Sequence, residues 1–332
     1  MIHRYKNNGY NIVLDVNSGS VHVVDDIVYD IVGCLEEKMS EAAILEKFKN
    51  QYKEEDIRTA IEECRELEEA QMLFTNDIYE NAIESFKDRP TVVKALCLHI
   101  AHDCNLACRY CFAEEGEYHG RRALMTYEVG KQALDFLIAN SGNRKNLEVD
   151  FFGGEPLMNW NVVKELVAYG RSQEKIHNKH FRFTLTTNGV LLDDDIMEFA
   201  NEEMDNVVLS IDGRKEVHDF MRPFRKGKGS YDLVVPKFQK FADSRGQQKY
   251  YARGTFTHHN LDFSEDVLHL ADLGFEQISV EPVVADEKEE YAIKKEDIPK
   301  ICEEYDKLAK EMIRRNKEGK GFNFFHFMID LT

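Results

Sequence analysis

The hydrophobic pattern of the first 85 residues predicts a small module in which strands precede helices. Residues 10–16 and 21–24 are rich in β-forming side chains and flank the turn sequence Asn-Ser-Gly-Ser, which predicts a hairpin. Apolar residues then recur at helical spacing, over residues 27–35 and over the strongly charged segment 57–67. A hairpin followed by helices is typical of a winged-helix-like α+β module, which we assign to residues 1–85.

The pattern changes after a polar linker at residues 86–91, because apolar strands then alternate with amphipathic helices. This alternation is typical of a parallel α/β sheet. Six repeats predict a partial (β/α)6 TIM-like barrel over residues 92–320, a fold that places its chemistry at the carboxyl ends of the strands. The predicted strands are residues 93–101, 147–152, 181–187, 207–211, 251–256 and 277–282.

The composition narrows the class of protein. The chain has 332 residues, 43% hydrophobic and 31% charged, which agrees with two globular domains. It contains no apolar run near the roughly 20 residues that span a bilayer, and its start lacks the apolar core of a signal peptide. We therefore expect a cytoplasmic enzyme that does not contact a membrane. The net charge of -18 argues against nucleic-acid binding and favours a neutral or basic partner.

Three cysteines carry the strongest chemical signal. Cys104, Cys108 and Cys111 form a C-x3-C-x2-C motif directly after the first predicted barrel strand. Three thiolates in so short a loop can hold one cubane iron–sulfur cluster and leave its fourth iron open to a ligand. A zinc knuckle or a redox thiol pair is the alternative, but zinc would need a fourth ligand, and the three nearby histidines lack the spacing of a ligand pair. The remaining cysteines are predicted to pack in apolar surroundings: Cys34, Cys64, Cys97 and Cys302.

The cysteine motif, with Phe112 after it, resembles the cluster motif of the radical S-adenosylmethionine (radical SAM) superfamily. In that superfamily a partial barrel holds a 4Fe-4S cluster and SAM, whose amino and carboxylate groups bind the open iron. Electron transfer cleaves SAM, and the 5'-deoxyadenosyl radical then abstracts hydrogen from the substrate. The resemblance implies both cofactors, a flavodoxin- or ferredoxin-type electron donor, and Cys104, Cys108 and Cys111 as the metal ligands.

Further motifs lie directly after the later predicted strands, in the same position as the cysteine motif after the first. Gly153-Gly154-Glu155-Pro156 resembles the family's GGEP element: glycines permit close approach to the methionine amino group, and Glu155 offers an acceptor. Ser210 and Arg222 resemble residues that hold the ribose and carboxylate of SAM, and arginine suits a bidentate carboxylate contact. An ordinary surface arginine is the alternative.

The resemblance also implies roles for residues that have equally simple structural explanations. Asn188 either faces the cofactor or makes a turn into the next helix, whereas Tyr110 and Val280 either border the adenine or pack. Asp212 lies in the same Ser-Ile-Asp-Gly segment as Ser210. The full set of predicted cofactor-binding residues is Tyr110, Gly153, Gly154, Glu155, Asn188, Ser210, Asp212, Arg222 and Val280.

The substrate prediction rests on the first module. A small winged module before such a barrel resembles the RiPP recognition element, which binds the leader of a ribosomally made peptide by strand addition. Residues 98–103, 113–115 and 257–260 resemble maturases of six-cysteine peptides (SCIFF). This resemblance implies a Cys-rich precursor peptide, with its leader on residues 1–85, and thioether crosslinks from Cys sulfur to carbon. The alternatives are sulfatase-maturase-like oxidation of Cys or Ser, and a leader-binding fragment without activity.

The family usually continues into a cysteine-rich SPASM-type region that carries auxiliary 4Fe-4S clusters. Residues 321–332 contain no cysteine. We therefore expect a chain truncated before that region, with residues 321–332 as its start, and auxiliary clusters only in the missing part.

Overall fold

The computed structural model describes residues 1–87 and 91–328, which divide into two compact units. The first unit comprises the described residues up to 87, and the second is Thr91–Met328. The predicted linker at 86–91 therefore lies partly outside the described residues, and so do the last four residues of the predicted C-terminal segment. None of the helices in the described ranges is long and apolar enough to cross a membrane.

The first unit has a three-stranded antiparallel sheet, in the order β1-β2-β3, followed by helices. The predicted hairpin is present as β2 and β3. Strand β1 was not predicted, because it has a single buried apolar residue, Ile2, and so gives little hydrophobic signal. Helix α2 was not predicted either. The elements are β1 (Ile2–Asn7), β2 (Tyr10–Asp15), β3 (Val21–Val24), α1 (Asp26–Glu36), α2 (Glu41–Phe48), α3 (Glu54–Glu69) and α4 (Ile83–Lys87).

Side-chain caps and one buried carboxylate organise this unit. The side chains of Asp25 and Ser40 accept hydrogen bonds from the first turns of α1 and α2. Asp15 is fully buried at the end of β2 and accepts from the backbone N–H of Thr75 at 2.9 Å and from its hydroxyl at 2.8 Å. Burial alone would raise the pKa of Asp15, but these hydrogen bonds lower it. The core is formed by apolar residues of β2 and the three helices, including Val13, Ile31, Ile44, Ile57 and Ile61.

The second unit contains an eight-stranded sheet in the order β11-β10-β9-β8-β7-β6-β4-β5. Its strands are β4 (Ala95–His102), β5 (Ala123–Leu124), β6 (Asn146–Gly153), β7 (His180–Thr187), β8 (Asn206–Ser210), β9 (Tyr250–Phe256), β10 (Gln277–Pro282) and β11 (Asn323–Phe324). Its helices are α5 (Tyr127–Asn140), α6 (Trp160–His177), α7 (Asp194–Glu203), α8 (Lys215–Met221), α9 (Tyr231–Ser244), α10 (Phe263–Asp272) and α11 (Ile298–Lys317).

The six predicted barrel strands are all present and run parallel, each beside the previous one along the chain. A doubly wound sheet would reverse its strand order at a switch point. This sheet does not, so it has the α/β topology of an open barrel, as predicted. Within the described ranges no pairing joins β5 to β11. The short β11 lies in the segment 321–332 and extends the sheet beyond β10.

Strand alternation separates a core face from an inner face. Phe151, Phe183 and Leu209 are fully buried in the hydrophobic core with residues of the surrounding helices. The neighbouring positions Asp150 and Ser210 are only half-buried, because successive side chains of a strand point to opposite faces. The inner face therefore carries polar residues that lead toward the carboxyl ends of the strands.

Candidate functional site

A cavity of about 330 Å³ lies at the carboxyl ends of the parallel strands. Its volume falls in the usual range for pockets that bind small ligands. The three motif cysteines line it together with most of the other predicted site residues. These are Cys104, Cys108, Cys111, Tyr110, Gly153, Gly154, Glu155, Asn188, Ser210 and Arg222.

The cysteine loop is held by the segment that follows α8. The backbone N–H groups of Ala107 and Arg109 donate to the carbonyls of Pro223 and Met221 at 2.8 and 2.9 Å, respectively. This antiparallel pairing involves backbone atoms only. These two hydrogen bonds hold the loop without using its thiols.

The thiols themselves lie in an environment that disfavours free thiolates. Burial raises the pKa of Cys104 and of Cys108 to about 12. Metal ligation requires the thiolate and displaces its proton, so a bound metal would compensate the cost of burial. In the described ranges, no group of His, Cys, Asp or Glu side chains is arranged to hold one metal ion. A cubane accepts one thiolate on each of several irons, so its protein ligands need not surround a single ion.

The Gly153-Gly154 turn packs directly against the end of β4. A Cβ atom on Gly153, which has a φ of +123°, would lie 2.5 Å from the carbonyl oxygen of Ala101. A Cβ on Gly154 would lie 2.1 Å from the carbonyl oxygen of Asp103. The sequence suggested that these glycines allow approach to the cofactor. In the structure, the side on which a Cβ would project is occupied by the chain itself.

Glu155 is fully buried and joins the ends of β6 and β7. Its Oε1 accepts from the Thr187 hydroxyl at 2.8 Å and from the Leu157 N–H at 3.0 Å, and its Oε2 accepts from the Asn188 N–H at 2.8 Å. Burial raises the pKa of Glu155 to about 7, although the three hydrogen bonds act in the opposite direction. The carboxylate therefore organises the loops around the cavity, and its contact with a methionine amino group stays a prediction.

Asn188 turns toward the cysteine loop. Its Nδ2 donates to Asn105 Oδ1 at 2.8 Å and lies 3.6 Å from Cys104 Sγ, while its own Oδ1 accepts from the Val190 N–H at 3.0 Å. Asn188 therefore lines the cavity and also closes the turn after β7, and its contact with the cofactor stays a prediction.

Arg222 reaches the cavity wall supported by Asp212. The Nε of Arg222 lies 3.0 Å from Asp212 Oδ1, and its side chain is only 12% exposed. The Tyr110 hydroxyl donates to both oxygens of Asp212, at 2.8 and 2.7 Å, and the Thr255 N–H donates to Oδ1 at 3.0 Å. Burial acts to lower the pKa of Arg222, but the neighbouring Asp212 raises it, so the guanidinium stays charged.

Asp212 itself does not line the cavity, although the sequence assigned it to the cofactor. It lies behind Tyr110 and Arg222 and positions both side chains. Val280 is also absent from the cavity wall, since it is fully buried in the hydrophobic core. Its neighbour Glu281 lines the cavity instead, because β10 alternates between the two faces. Core packing, the other explanation given for Val280, therefore describes its surroundings, and a contact with adenine stays a prediction.

Two further features of the cavity were missed from the sequence. Arg253 of β9 and Glu281 of β10 form an ion pair that lines the cavity, and Glu281 also accepts from the Ser279 hydroxyl at 3.1 Å. A polar residue at alternate positions of an otherwise apolar strand was the available signal.

The four cysteines outside the motif differ in exposure. Cys97 and Cys302 are exposed rather than packed, whereas Cys34 and Cys64 are buried as predicted.

His218 is a buried residue with no sequence signal. Its Nδ1 accepts from the Asp212 N–H at 3.4 Å, and its Nε2 lies 2.9 Å from the Ser230 hydroxyl oxygen, which in turn donates to the Arg222 carbonyl at 2.7 Å. Burial lowers the pKa of His218 to about 4, so the ring is neutral. This network assigns the proton to Nε2. His218 thereby connects the backbones of Asp212 and Arg222.

The residues fit the cofactors that the superfamily implies. Three thiols on one loop suit the cluster, and Arg222 suits the carboxylate of an amino acid. The buried Nε–H of Arg222 makes no well-directed hydrogen bond within the described ranges, although Asp212 is close. Cys104, Cys108 and Cys111 would hold the cluster, and the cavity beside them would hold SAM.

Known proteins share sequence and fold with the part of the chain that carries this cavity. Residues 98–252 match the family model of the Radical SAM superfamily. This matched segment is therefore similar to a radical SAM domain. Solved structures have the same fold: anSMEcpe with bound AdoMet has a TM-score of 0.62 at 20% identity, covering 71% of this chain and 64% of that one. Streptococcus suis SuiB bound to S-adenosylmethionine has a TM-score of 0.50 at 15% identity, covering 97% of this chain and 70% of that one.

Curated relatives share part of the chain. An uncharacterized protein of Methanocaldococcus jannaschii is 33% identical over 42% of this chain and 45% of its own length. The radical SAM cyclopropyl synthase TigE of Paramaledivibacter caminithermalis is 26% identical over 42% of this chain and 34% of its own length. The serine-type anaerobic sulfatase-maturating enzyme of Bacteroides thetaiotaomicron is 33% identical over 40% of this chain and 32% of its own length. The chain thus spans less than half the length of these relatives.

Proposed function

We propose that this chain is a radical SAM enzyme that modifies a ribosomally made precursor peptide, forming thioether crosslinks from Cys sulfur to carbon. The observation that carries the proposal is the convergence of three thiols, the Gly153-Gly154 turn and Arg222 on one cavity of about 330 Å³. When bound, the cluster would supply the electron that breaks a sulfonium C–S bond of SAM.

The chain's own residues bind and orient the cofactor. Arg222, held by Asp212 at 3.0 Å, offers its guanidinium to the methionine carboxylate. Ser210, at the end of β8 and on the cavity wall, offers a hydroxyl to the ribose. Glu155 fixes the loop ends through its three hydrogen bonds, so these groups are ordered before the cofactor binds.

The cofactor part of the proposal is tested by anaerobic reconstitution with iron and sulfide. We expect a brown protein with about four irons per chain, and 5'-deoxyadenosine after incubation with SAM and dithionite. Cys108→Ala should lose the cluster signal and this product, whereas Cys302→Ala, at an exposed position outside the cavity, should keep both. A Cys108→Ala protein that still makes 5'-deoxyadenosine would contradict the ligand assignment.

The peptide part of the proposal is supported by the first unit. Its outer strand β3 carries Val21 and Val23, which are 52% and 65% exposed. An edge strand offers unpaired backbone groups to an extended peptide, as in recognition by strand addition. We propose that this winged-helix-like unit binds the leader of a Cys-rich precursor.

Thioether formation is tested with that precursor. After incubation with the reconstituted enzyme, SAM and a reductant, its mass should fall by two hydrogens for each crosslink. Val23→Lys should weaken leader binding without changing SAM cleavage. A precursor with unchanged mass after incubation with an enzyme that cleaves SAM would reject thioether formation on that peptide.

Sequence similarity to sulfatase-maturating enzymes favours a second candidate. A cysteine-type enzyme of Clostridium novyi is 28% identical over 40% of this chain. In this alternative, the chain oxidises a Cys or Ser side chain. Activity on a short sulfatase peptide without a leader would support it. A chain that binds a leader but never cleaves SAM would instead be the inactive binding fragment.

A further inference from the structure

A cationic turn lies beside the cysteine loop. It comprises residues 224–228, in which Arg225, Lys226 and Lys228 are exposed. The turn is closed by a hydrogen bond from the Phe224 N–H to the Lys228 carbonyl at 2.8 Å. Neither lysine forms an ion pair with any residue of the described ranges. Arg225 is paired with Asp103 and Glu115, so the two lysines supply the unpaired charge of the turn.

The turn is joined directly to the backbone that carries the cysteines. Phe224 forms an antiparallel bridge with Leu106. The guanidinium of Arg225 donates to Asp103 Oδ1 at 2.6 Å and to the backbone carbonyl of Cys104. One hydrogen bond therefore separates this surface turn from the first cysteine of the motif.

The cysteine loop itself adds a further exposed cation. Arg109, between Cys108 and Tyr110, donates from Nε to the Phe220 carbonyl at 2.7 Å. Its guanidinium carbon lies 4.2 Å from the centroid of the Phe220 ring. This stacking holds the charge at the surface of the loop, on the segment that is paired with the turn.

We propose that the cationic turn and Arg109 form the docking surface for a small acidic one-electron carrier of the flavodoxin or ferredoxin class. The inference rests on the proposed function, since that function requires an electron from outside the chain. On docking, one electron leaves the carrier, which is oxidised, and enters the cluster, which is reduced; no bond forms or breaks.

Charge supports this occupant over others. An acidic chain repels an acidic partner over most of its surface, so a local group of cations decides where that partner binds. A basic precursor peptide would be repelled by the same turn. The turn also offers the carrier a short path to Cys104 through the Arg225 hydrogen bond.

The test compares two charge reversals of equal size. In Lys226→Glu/Lys228→Glu, the rate constant for cluster reduction by reduced flavodoxin, followed by stopped-flow absorbance, should fall about tenfold or more at low ionic strength. The difference should shrink as salt is added, because salt screens exposed charges. The matched control Lys310→Glu/Lys320→Glu changes exposed lysines of α11 and the loop after it and should remain within about twofold of the unmodified chain. Lys226→Gln/Lys228→Gln, which removes charge without reversing it, should give an intermediate rate.

Dithionite separates the failure of this inference from failure of the proposed function. As a small reductant it needs no docking surface, so it should reduce all four proteins equally. If dithionite fails to reduce any cluster in the unmodified chain, the proposed function and the docking surface are both rejected. If dithionite works and flavodoxin reduces Lys226→Glu/Lys228→Glu at the unmodified rate, only the docking surface is rejected. A change confined to the KM for precursor peptide would likewise overturn it, by assigning the turn to the peptide.

Discussion

The two sides of the cavity are built differently. On the side of β6 to β8, Glu155 and Asp212 are fully buried, and each accepts several hydrogen bonds at fixed distances. On the side of β9 and β10, the side chains of Arg253 and Glu281 are 46% and 30% exposed, and Val284 is 94% exposed. The first side is organised in advance, as cofactor binding requires. The second side is open and polar, which suits a larger and variable substrate.

The largest effect is expected from filling the glycine turn on the ordered side. Gly154→Ala would place a Cβ 2.1 Å from a backbone oxygen of Asp103, so the cysteine loop must move. We expect a loss of about 3 kcal/mol in the free energy of unfolding, together with loss of cluster incorporation, measured by denaturation and iron analysis.

Gly120→Ala is the control for that change. Its added Cβ would meet its nearest neighbour at 3.4 Å, an ordinary contact, and it belongs to the loop region after the cysteines. It should therefore retain stability and iron. Equal losses in the two variants would show that the close packing of Gly154 is not what forms the site.

A smaller effect is expected at β10, where the core and the open side meet. Val280→Ala removes two methyl groups from a fully buried position and should lower the free energy of unfolding by about 2 kcal/mol. Val284→Ala, at a 94% exposed position, should change it by less than about 0.5 kcal/mol. The two values are compared by chemical denaturation of the metal-free chain. A SAM-affinity defect in Val280→Ala without a loss of stability would favour the predicted adenine contact over a role in core packing.

A pH dependence is expected from His218, behind the ordered side. Burial lowers its pKa from 6.5 to about 4, so between these values the unfolded chain binds a proton that the folded chain does not. The contribution of His218 to stability is therefore present above pH 6.5 and is lost as the pH falls toward about 4. His218→Asn should flatten the pH profile of the metal-free chain in this window.

Ser230→Ala is the matched variant for His218. It removes the hydroxyl that lies 2.9 Å from Nε2 but keeps the imidazole, so it should lower stability by about 1 kcal/mol and preserve the pH dependence. If Ser230→Ala flattens the profile as much as His218→Asn does, the proton is not taken up at His218.

The smallest effect on folding is expected on the open side. Arg253→Gln and Glu281→Gln break an exposed ion pair, which is worth about 0–1 kcal/mol. Both should fold normally, and because both residues line the cavity, the change is expected in the KM for SAM or for the peptide rather than in stability. A large loss of stability in either variant would show that this side is as organised as the other.

Local spacing was sufficient for much of the fold and for part of the site. The six barrel strands followed from runs of apolar residues, and the structure places their edges within a few residues of the predicted positions. The cysteine motif was equally clear, because covalent connection keeps its thiols on one loop. Polar strand ends such as Asn188 and Ser210 followed once the strands were in order, since parallel strands end at the same edge of a sheet.

The sequence alone determined the six barrel strands and the cysteine motif, because periodicity and short-range spacing are properties of neighbouring residues. Only the tertiary structure decided that Asp212 supports Arg222 from behind, that Val280 faces the core, and that His218 joins separate segments. These outcomes depend on strand register and on hydrogen bonds between residues distant in the chain. Neither is encoded in the spacing of any single motif.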